Sequence, residues 1–253
     1  LCGVDADQVD IEMVGINHLN WATRIRVNGT DITRDVLNKA AGASGLTMRN
    51  IPDFGWDAEF LQSIGSLPCS YLRYYYMKDQ MLENMQKKFR EQGTTRADDV
   101  KRVEQELFEL YKDPGLAIKP PQLERRVVSY YSESAVNLVK SIYNNTKDIQ
   151  TVNVKNNGVI PFLPSDVSVE VNCVIDSEGA HPVQIQAPIP PQVRGLLQVA
   201  KAYEELTVKA AAEGDYLAGL QALTIHPLVG TRQLAKQLLD EIIAANKDFL
   251  PQF

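Results

Sequence analysis

The 253-residue chain is 44% hydrophobic and 23% charged, enough apolar content to bury a substantial core in one large domain or two small ones. Its net charge of −6 argues against a surface for nucleic acid or anionic lipid, which clustered Lys and Arg would hold, so any anionic ligand must be small and locally paired. No apolar run approaches the roughly 20 residues of a membrane span, and the widely spaced Cys2, Cys69 and Cys173 form neither a disulfide framework nor a paired zinc motif.

Reduced thiols point to a cytoplasmic location. The chain starts at Leu1 without an initiator Met and without a basic stretch leading into an apolar signal core, and it is read as part of a longer polypeptide. The triplets Asn28-Gly29-Thr30 and Asn144-Asn145-Thr146 are read as turn sequences rather than glycosylation sites.

From Leu19 to Val27 apolar and polar residues alternate, which predicts a half-buried strand with His18 at its head on the polar side. Asn28-Gly29 tolerates the positive φ of a tight hairpin, and Thr30-Asp31-Ile32 begins the return. A loop rich in Gly, Asn and Pro runs from Gly42 to Gly55, after which Pro68 opens a long helical region. Two amphipathic helices are expected, one with Leu82, Met85 and Phe89 as its apolar stripe and one with Val100, Val103, Leu107 and Leu110. They flank a break at Gly93-Thr94-Thr95, where Thr95 and Asp98 have the spacing of a helix N-cap pair.

Pro114 and Pro120-Pro121 interrupt the next connection, and Val136, Val139 and Tyr143 suggest a further helix. Val152 and Val154, then the strict alternation from Val167 to Ile175, predict an antiparallel pair or part of a small sheet, joined through a turn at Asn156-Asn157-Gly158. The remainder reads as helical, with one stripe at Val193, Leu196, Ala200 and Tyr203 and another at Leu234, Leu238 and Ile242. The expected class is α+β: a mixed or antiparallel sheet packed against a large helical layer.

Taken alone, a histidine such as His18 beside a strand is more often a hydrogen-bonded structural residue than a metal ligand. Likewise, Tyr71, Tyr74, Tyr75 and Tyr76 form an aromatic cluster of the kind that fills cores. The ordered set of motifs around them is more specific. Gly15-Ile16-Asn17-His18-Leu19-Asn20-Trp21 resembles the G-[LI]-N-H-L-x-[WF] segment of glycoside hydrolase family 4. Pro68 through Tyr75 is similar to that family's P-x-x-Y-L-R-Y-Y stretch at a slightly different spacing, and Thr95-Arg96-Ala97 leading to Glu104 through Phe108 matches another. Val154 through Ile160 with Ser165-Asp166, and Ile225-His226-Pro227-Leu228, complete five matches in family order across nearly the whole chain.

The resemblance implies the C-terminal metal-binding, substrate-binding and oligomerisation domain of a 6-phospho-β-glucosidase, spanning 1–253, with a fold like the C-terminal domain of the lactate and malate dehydrogenase superfamily. It implies NAD and Mn²⁺ as cofactors, a phosphorylated disaccharide or glucoside as substrate, and a homodimer or homotetramer. In this chemistry the sugar is oxidised at C3 with NAD, deprotonated at C2, relieved of its aglycone by elimination, then hydrated and reduced.

By the same resemblance His18 is a metal ligand, Tyr71 the base, Arg96 an anchor for the 6-phosphate and Asn17 a contact to sugar or metal. These types suit the work: an imidazole binds divalent cations, a phenol becomes a useful base when a nearby cation favours its phenolate form, and a guanidinium fork matches phosphate oxygens. The family's Gly-rich dinucleotide loop does not occur in the chain. Its cysteine ligand belongs to a C-N-x-P segment expected upstream, and Cys2, followed by Gly-Val-Asp, is not assigned that role. Sister activities on 6-phospho-α-glucosides, α-galactosides or α-glucuronides, or a non-catalytic assembly module, are the alternatives.

Overall fold

The computed structural model describes residues 3–45, 47, 51–126 and 131–253. Cys2 and part of the expected 42–55 loop lie outside them. The strands are β1 (Val9–Ile16), β2 (Leu19–Val27), β3 (Thr30–Asp31), β4 (Leu67–Pro68), β5 (Asp148–Lys155), β6 (Ser168–Asp176) and β7 (Gly179–Pro182). They form one sheet in the order β3-β2-β1-β6-β5, with β4 beside β2 and β7 beside β6, and every pairing between these strands is antiparallel. The only parallel contact among the described residues is an isolated bridge between Ala41 and Trp56.

The alternation read from Leu19 to Val27 coincides with β2, and the Asn28-Gly29 turn has φ values of 50° and 81° at its two central residues, as a tight hairpin requires. Strand β1 escaped the sequence reading because its outer half, Val9 to Met13, is only partly buried and carries Asp10 and Glu12 among its apolar residues. This strand joins the N-terminal hairpin to the β5–β6 pair, pairing Val14 with Val171. What the sequence presents as two separate β regions is therefore a single sheet.

The helices are α1 (Thr33–Ala40), α2 (Ala58–Ile64), α3 (Arg73–Tyr76), α4 (Lys78–Gln92), α5 (Arg96–Leu110), α6 (Gln122–Arg126), α7 (Tyr131–Asn144), α8 (Pro191–Glu213), α9 (Tyr216–Ile225) and α10 (Arg232–Ala245). Ile16, Leu19 and Trp21 of the sheet pack with Leu37 of α1, Leu61 of α2 and Val193, Leu197 and Ala200 of α8. A second cluster joins Val14 to Val169, Val171, Cys173 and Ile175 of β6 and covers them with Ile160 and Leu163. Burying such side chains stabilises the fold by about 1.5–3 kcal/mol each.

Several helix stripes differ from expectation. Val103 and Leu107 of α5 are buried, as are Val193 and Ala200 of α8. Leu82, Met85 and Phe89 of α4, and Val136, Val139 and Tyr143 of α7, lie exposed instead, because no described element covers those faces. On α10 the buried positions are Ala235 and Leu239, with Leu234 and Ile242 exposed, since α9 packs against the neighbouring face. No helix among the described residues is long and apolar enough to cross a membrane.

Candidate active site

The tight β1–β2 hairpin positions the first site residue. Ile16 pairs with Leu19, so Asn17 and His18 form a two-residue turn, and His18 takes a left-handed φ of 65°. That conformation is uncommon for a residue with a side chain. The histidine thus stands in the turn itself and not on the polar face of β2, as its sequence position suggested. Gly15 makes this approach possible: a Cβ there would lie 2.2 Å from the Leu19 carbonyl oxygen and 2.4 Å from the Asn20 Cα.

The second residue arrives through β4. Pro68 pairs with Trp21, and the Cys69 amide donates to the Asn20 carbonyl at 3.0 Å. A single 3₁₀ turn, Ser70–Leu72, then carries Tyr71 over the hairpin, anchored by the fully buried Leu72. The Tyr71 and His18 rings stack with centroids 4.0 Å apart and planes inclined by 3°. Such a pair is worth about 0.5–1.5 kcal/mol beyond the area it buries. The Cys69 thiol donates to the His18 carbonyl at 3.2 Å, and burial pushes its pKa up, so it sits as a neutral donor that holds the turn. On the other side Asn20 donates to the Glu170 carboxylate.

The tyrosine cluster divides by position. Tyr75 and Tyr76 pack against the core, with the Tyr75 and Tyr203 hydroxyls 3.3 Å apart, whereas Tyr71 faces His18. Tyr74 lines a groove of about 760 Å³ together with Thr47, Asp53, Asn84, Lys88 and Arg96. Burial, followed by the neighbouring Tyr71, pushes the Tyr74 pKa up.

Arg96 opens α5 directly after a complete capping box, in which Thr95 and Asp98 satisfy one another's backbone amides. Its guanidinium is exposed and donates to the Arg125 carbonyl at 3.3 Å. Lys88 and Arg102 converge on the nearby Asp99 at 2.6 and 2.9 Å, and the Lys88 hydrogen bond holds that carboxyl below the usual range. Lys88 and Arg96 thus line the groove, with Asp53 also on its wall.

Asn17 is exposed beside His18. Asn156 belongs elsewhere: it is wholly buried and organises the loop after β5. His226, from the last motif, packs against Tyr203 with ring centroids 4.4 Å apart and planes tilted by 42°, and it accepts from the Leu228 amide. The supports of His18, namely Gly15, Cys69, Asn20 and Glu170, went unread in the sequence. Gly15, Asn20 and Cys69 lie inside the quoted motifs, but Glu170 reaches the site only through the β1–β6 pairing.

As a metal site the arrangement is partial. His18 offers an exposed imidazole, a suitable donor for a divalent ion, whereas the Cys69 thiol is hydrogen-bonded to the His18 carbonyl. Among the described residues no three His, Cys, Asp or Glu side chains converge as a metal cluster. His18 can therefore fill one coordination position. For a dinucleotide the described residues provide no Gly-rich strand-to-helix turn of the usual kind.

Comparisons with known proteins bear on the family of the chain. A Bacillus subtilis (strain 168) protein described as "Probable 6-phospho-beta-glucosidase" is 45% identical over 99% of this chain and 56% of its own length. A 6-phospho-alpha-glucosidase from Leptotrichia buccalis is 29% identical over 95% of this chain and 56% of its own length. The 6-phospho-beta glucosidase of Thermotoga maritima, solved with manganese, NAD+ and glucose-6-phosphate, superposes with a TM-score of 0.80 at 29% identity, covering 98% of this chain and 56% of that one. The chain thus spans about half the length of these relatives. The sequence model for the family 4 glycosyl hydrolase C-terminal domain matches residues 13–229, and the chain belongs to that family.

Proposed function

We propose that this chain is the substrate- and metal-binding part of an enzyme that cleaves 6-phospho-β-glucosides. The observation that carries the reading is the stack of Tyr71 on His18, with a groove lined by Tyr74, Lys88 and Arg96. The identities of 45% to a 6-phospho-β-glucosidase and 29% to a 6-phospho-α-glucosidase support the β preference. When bound, NAD would accept and return a hydride, and Mn²⁺ would polarise the sugar's oxygens.

The chain's own residues do the rest. His18 would hold the cation through one ring nitrogen, and a cation there would favour the phenolate form of its stacking partner Tyr71. Tyr71 takes the proton from C2 of the oxidised sugar and holds it at the phenol oxygen while the aglycone leaves. Arg96 and Lys88 bind the 6-phosphate, Arg96 through its fork of donors and Lys88 as a point charge. Asn17 contacts the sugar from the hairpin turn. The dinucleotide is held by residues other than those described here, so the 253-residue chain by itself turns over no substrate. The exposed apolar faces of α4 and α7 support a homo-oligomer, and a soluble phosphorylated substrate supports a cytoplasmic setting.

The test is turnover of 4-nitrophenyl 6-phospho-β-glucoside by the natural full-length polypeptide with NAD and Mn²⁺. Release of nitrophenol is expected, together with exchange of the C2 proton with solvent. Inactivity on this substrate combined with good activity on an α-galactoside would overturn the reading. Tyr71→Phe is expected to lower kcat by about a hundredfold or more while leaving the affinity for glucose 6-phosphate within about twofold. An unchanged kcat would remove Tyr71 from the role of base.

A further inference from the structure

Arg73 lies two residues beyond Tyr71 and is 1% exposed, which is rare for an arginine. Its Nε donates to the Phe54 carbonyl at 2.8 Å, its Nη2 stands 3.6 Å from Asp53 Oδ1, and its guanidinium carbon lies 4.8 Å from the centre of the Trp56 ring. Asp53 in turn accepts from the Gly45 amide at 2.6 Å. Asp53 and Phe54 line the wall of the groove that ends at Lys88 and Arg96. One buried side chain thus ties that wall to the turn carrying Tyr71.

A charge-assisted contact is tightest at about 2.7–2.9 Å, so the Asp53 contact is loose. Arg73 Nη1 is buried with no partner among the described residues, and an unmatched buried donor is costly. Burial already disfavours the charged guanidinium, and the Asp53 carboxylate opposes that effect.

We infer that Arg73 is a positioning residue: it transmits the location of the Asp53–Phe54 groove wall to the Tyr71–His18 stack, coupling occupancy of the groove to alignment of the base. This rests on the functional reading above. Arg73 touches neither reacting atoms nor phosphate in the inference. Its effect runs through Leu72 and Tyr71 on one side and the Phe54 carbonyl on the other.

A double-mutant cycle with an independent structural readout tests it. Arg73→Lys and Asp53→Asn, made in the natural full-length polypeptide, are each expected to lower kcat/KM for the phosphorylated glucoside about tenfold. The double variant is expected to lose about tenfold as well, because both cut the same connection. Independent local damage would multiply to about a hundredfold, and that result overturns the inference. The second readout is the ¹H NMR signal of the His18 ring, which senses the Tyr71 ring stacked on it. Asp53→Asn is expected to shift it, although Asp53 has no contact with His18, and to leave the His181 and His226 signals in place.

Should Arg73→Lys fail to fold, Asp53→Asn alone decides: an unshifted His18 signal with unchanged kcat/KM overturns the coupling. An unmutated protein without activity on the glucoside defeats the functional reading instead, and the His18 signal still decides the tie.

Discussion

At the residue scale, the described atoms separate side chains that support from side chains that act. Asn156 was read as part of a turn, and Asn157 and Gly158 do form one with φ values of 44° and 89°. Asn156 itself is fully buried, with Nδ2 within hydrogen-bond distance of the Ile160, Leu163 and Pro164 carbonyls and Oδ1 accepting from the Ile160 amide at 2.7 Å. Asn156→Ala would strand these groups away from water. The expected loss is about 2–4 kcal/mol in urea unfolding, with the His18 turn intact as judged by its NMR signals. A loss below about 0.5 kcal/mol would mean that water replaces the amide.

At the element scale, the β1–β2 hairpin and the start of α5 each hold a site residue by backbone chemistry. Gly15→Ala places a methyl group against the Leu19 carbonyl and Asn20. The strands must part, at a cost of about 1–3 kcal/mol, and Glu170 and Cys69 lose their grip on the turn. We expect a lower melting temperature together with weaker Mn²⁺ affinity. Normal Mn²⁺ binding would show that the hairpin does not set His18. Thr95→Ala removes the capping box of α5 and should cost about 1 kcal/mol. Because Arg96 is the first residue of that helix, fraying should also weaken glucose 6-phosphate binding by a few-fold, measurable by calorimetry.

At the scale of the whole molecule, burial and ion pairing set a pH window. Burial lowers the His226 pKa, so below the ordinary value of 6.5 the unfolded chain binds a proton that the folded chain resists, and stability falls as pH drops. Carboxyls such as Asp99, Asp176 and Asp215 are held below the usual range, in each case first by a hydrogen bond. Their contribution is present above the ordinary value near 3.8 and is lost as pH falls through the lowered folded values. On the alkaline side burial raises Cys69, Cys173 and Tyr203, so the unfolded chain releases those protons first and stability falls above about pH 9. The melting temperature should therefore plateau between about pH 7 and 9, and His226→Gln should flatten the first acid step. A melting temperature that climbs from pH 7 to pH 5 would contradict this.

Local elements were legible in the sequence wherever one face is dry and the other wet. The alternation of β2 and β6, the Asn28-Gly29 turn and the Thr95 cap follow from side-chain periodicity and hydrogen-bonding capacity, which act within a few residues. The five ordered motifs likewise carried the family. Tertiary structure alone decided which apolar stripes are covered, because α4 and α7 have the periodicity of buried helices without a neighbour on those faces among the described residues. It also decided that β1 joins two distant hairpins and that Pro68 pairs with Trp21. That last pairing lays Tyr71 on His18 from 53 positions away, and Arg73 then ties the same turn to the groove wall. Such contacts depend on loop closure and strand register, which no short window of residues records.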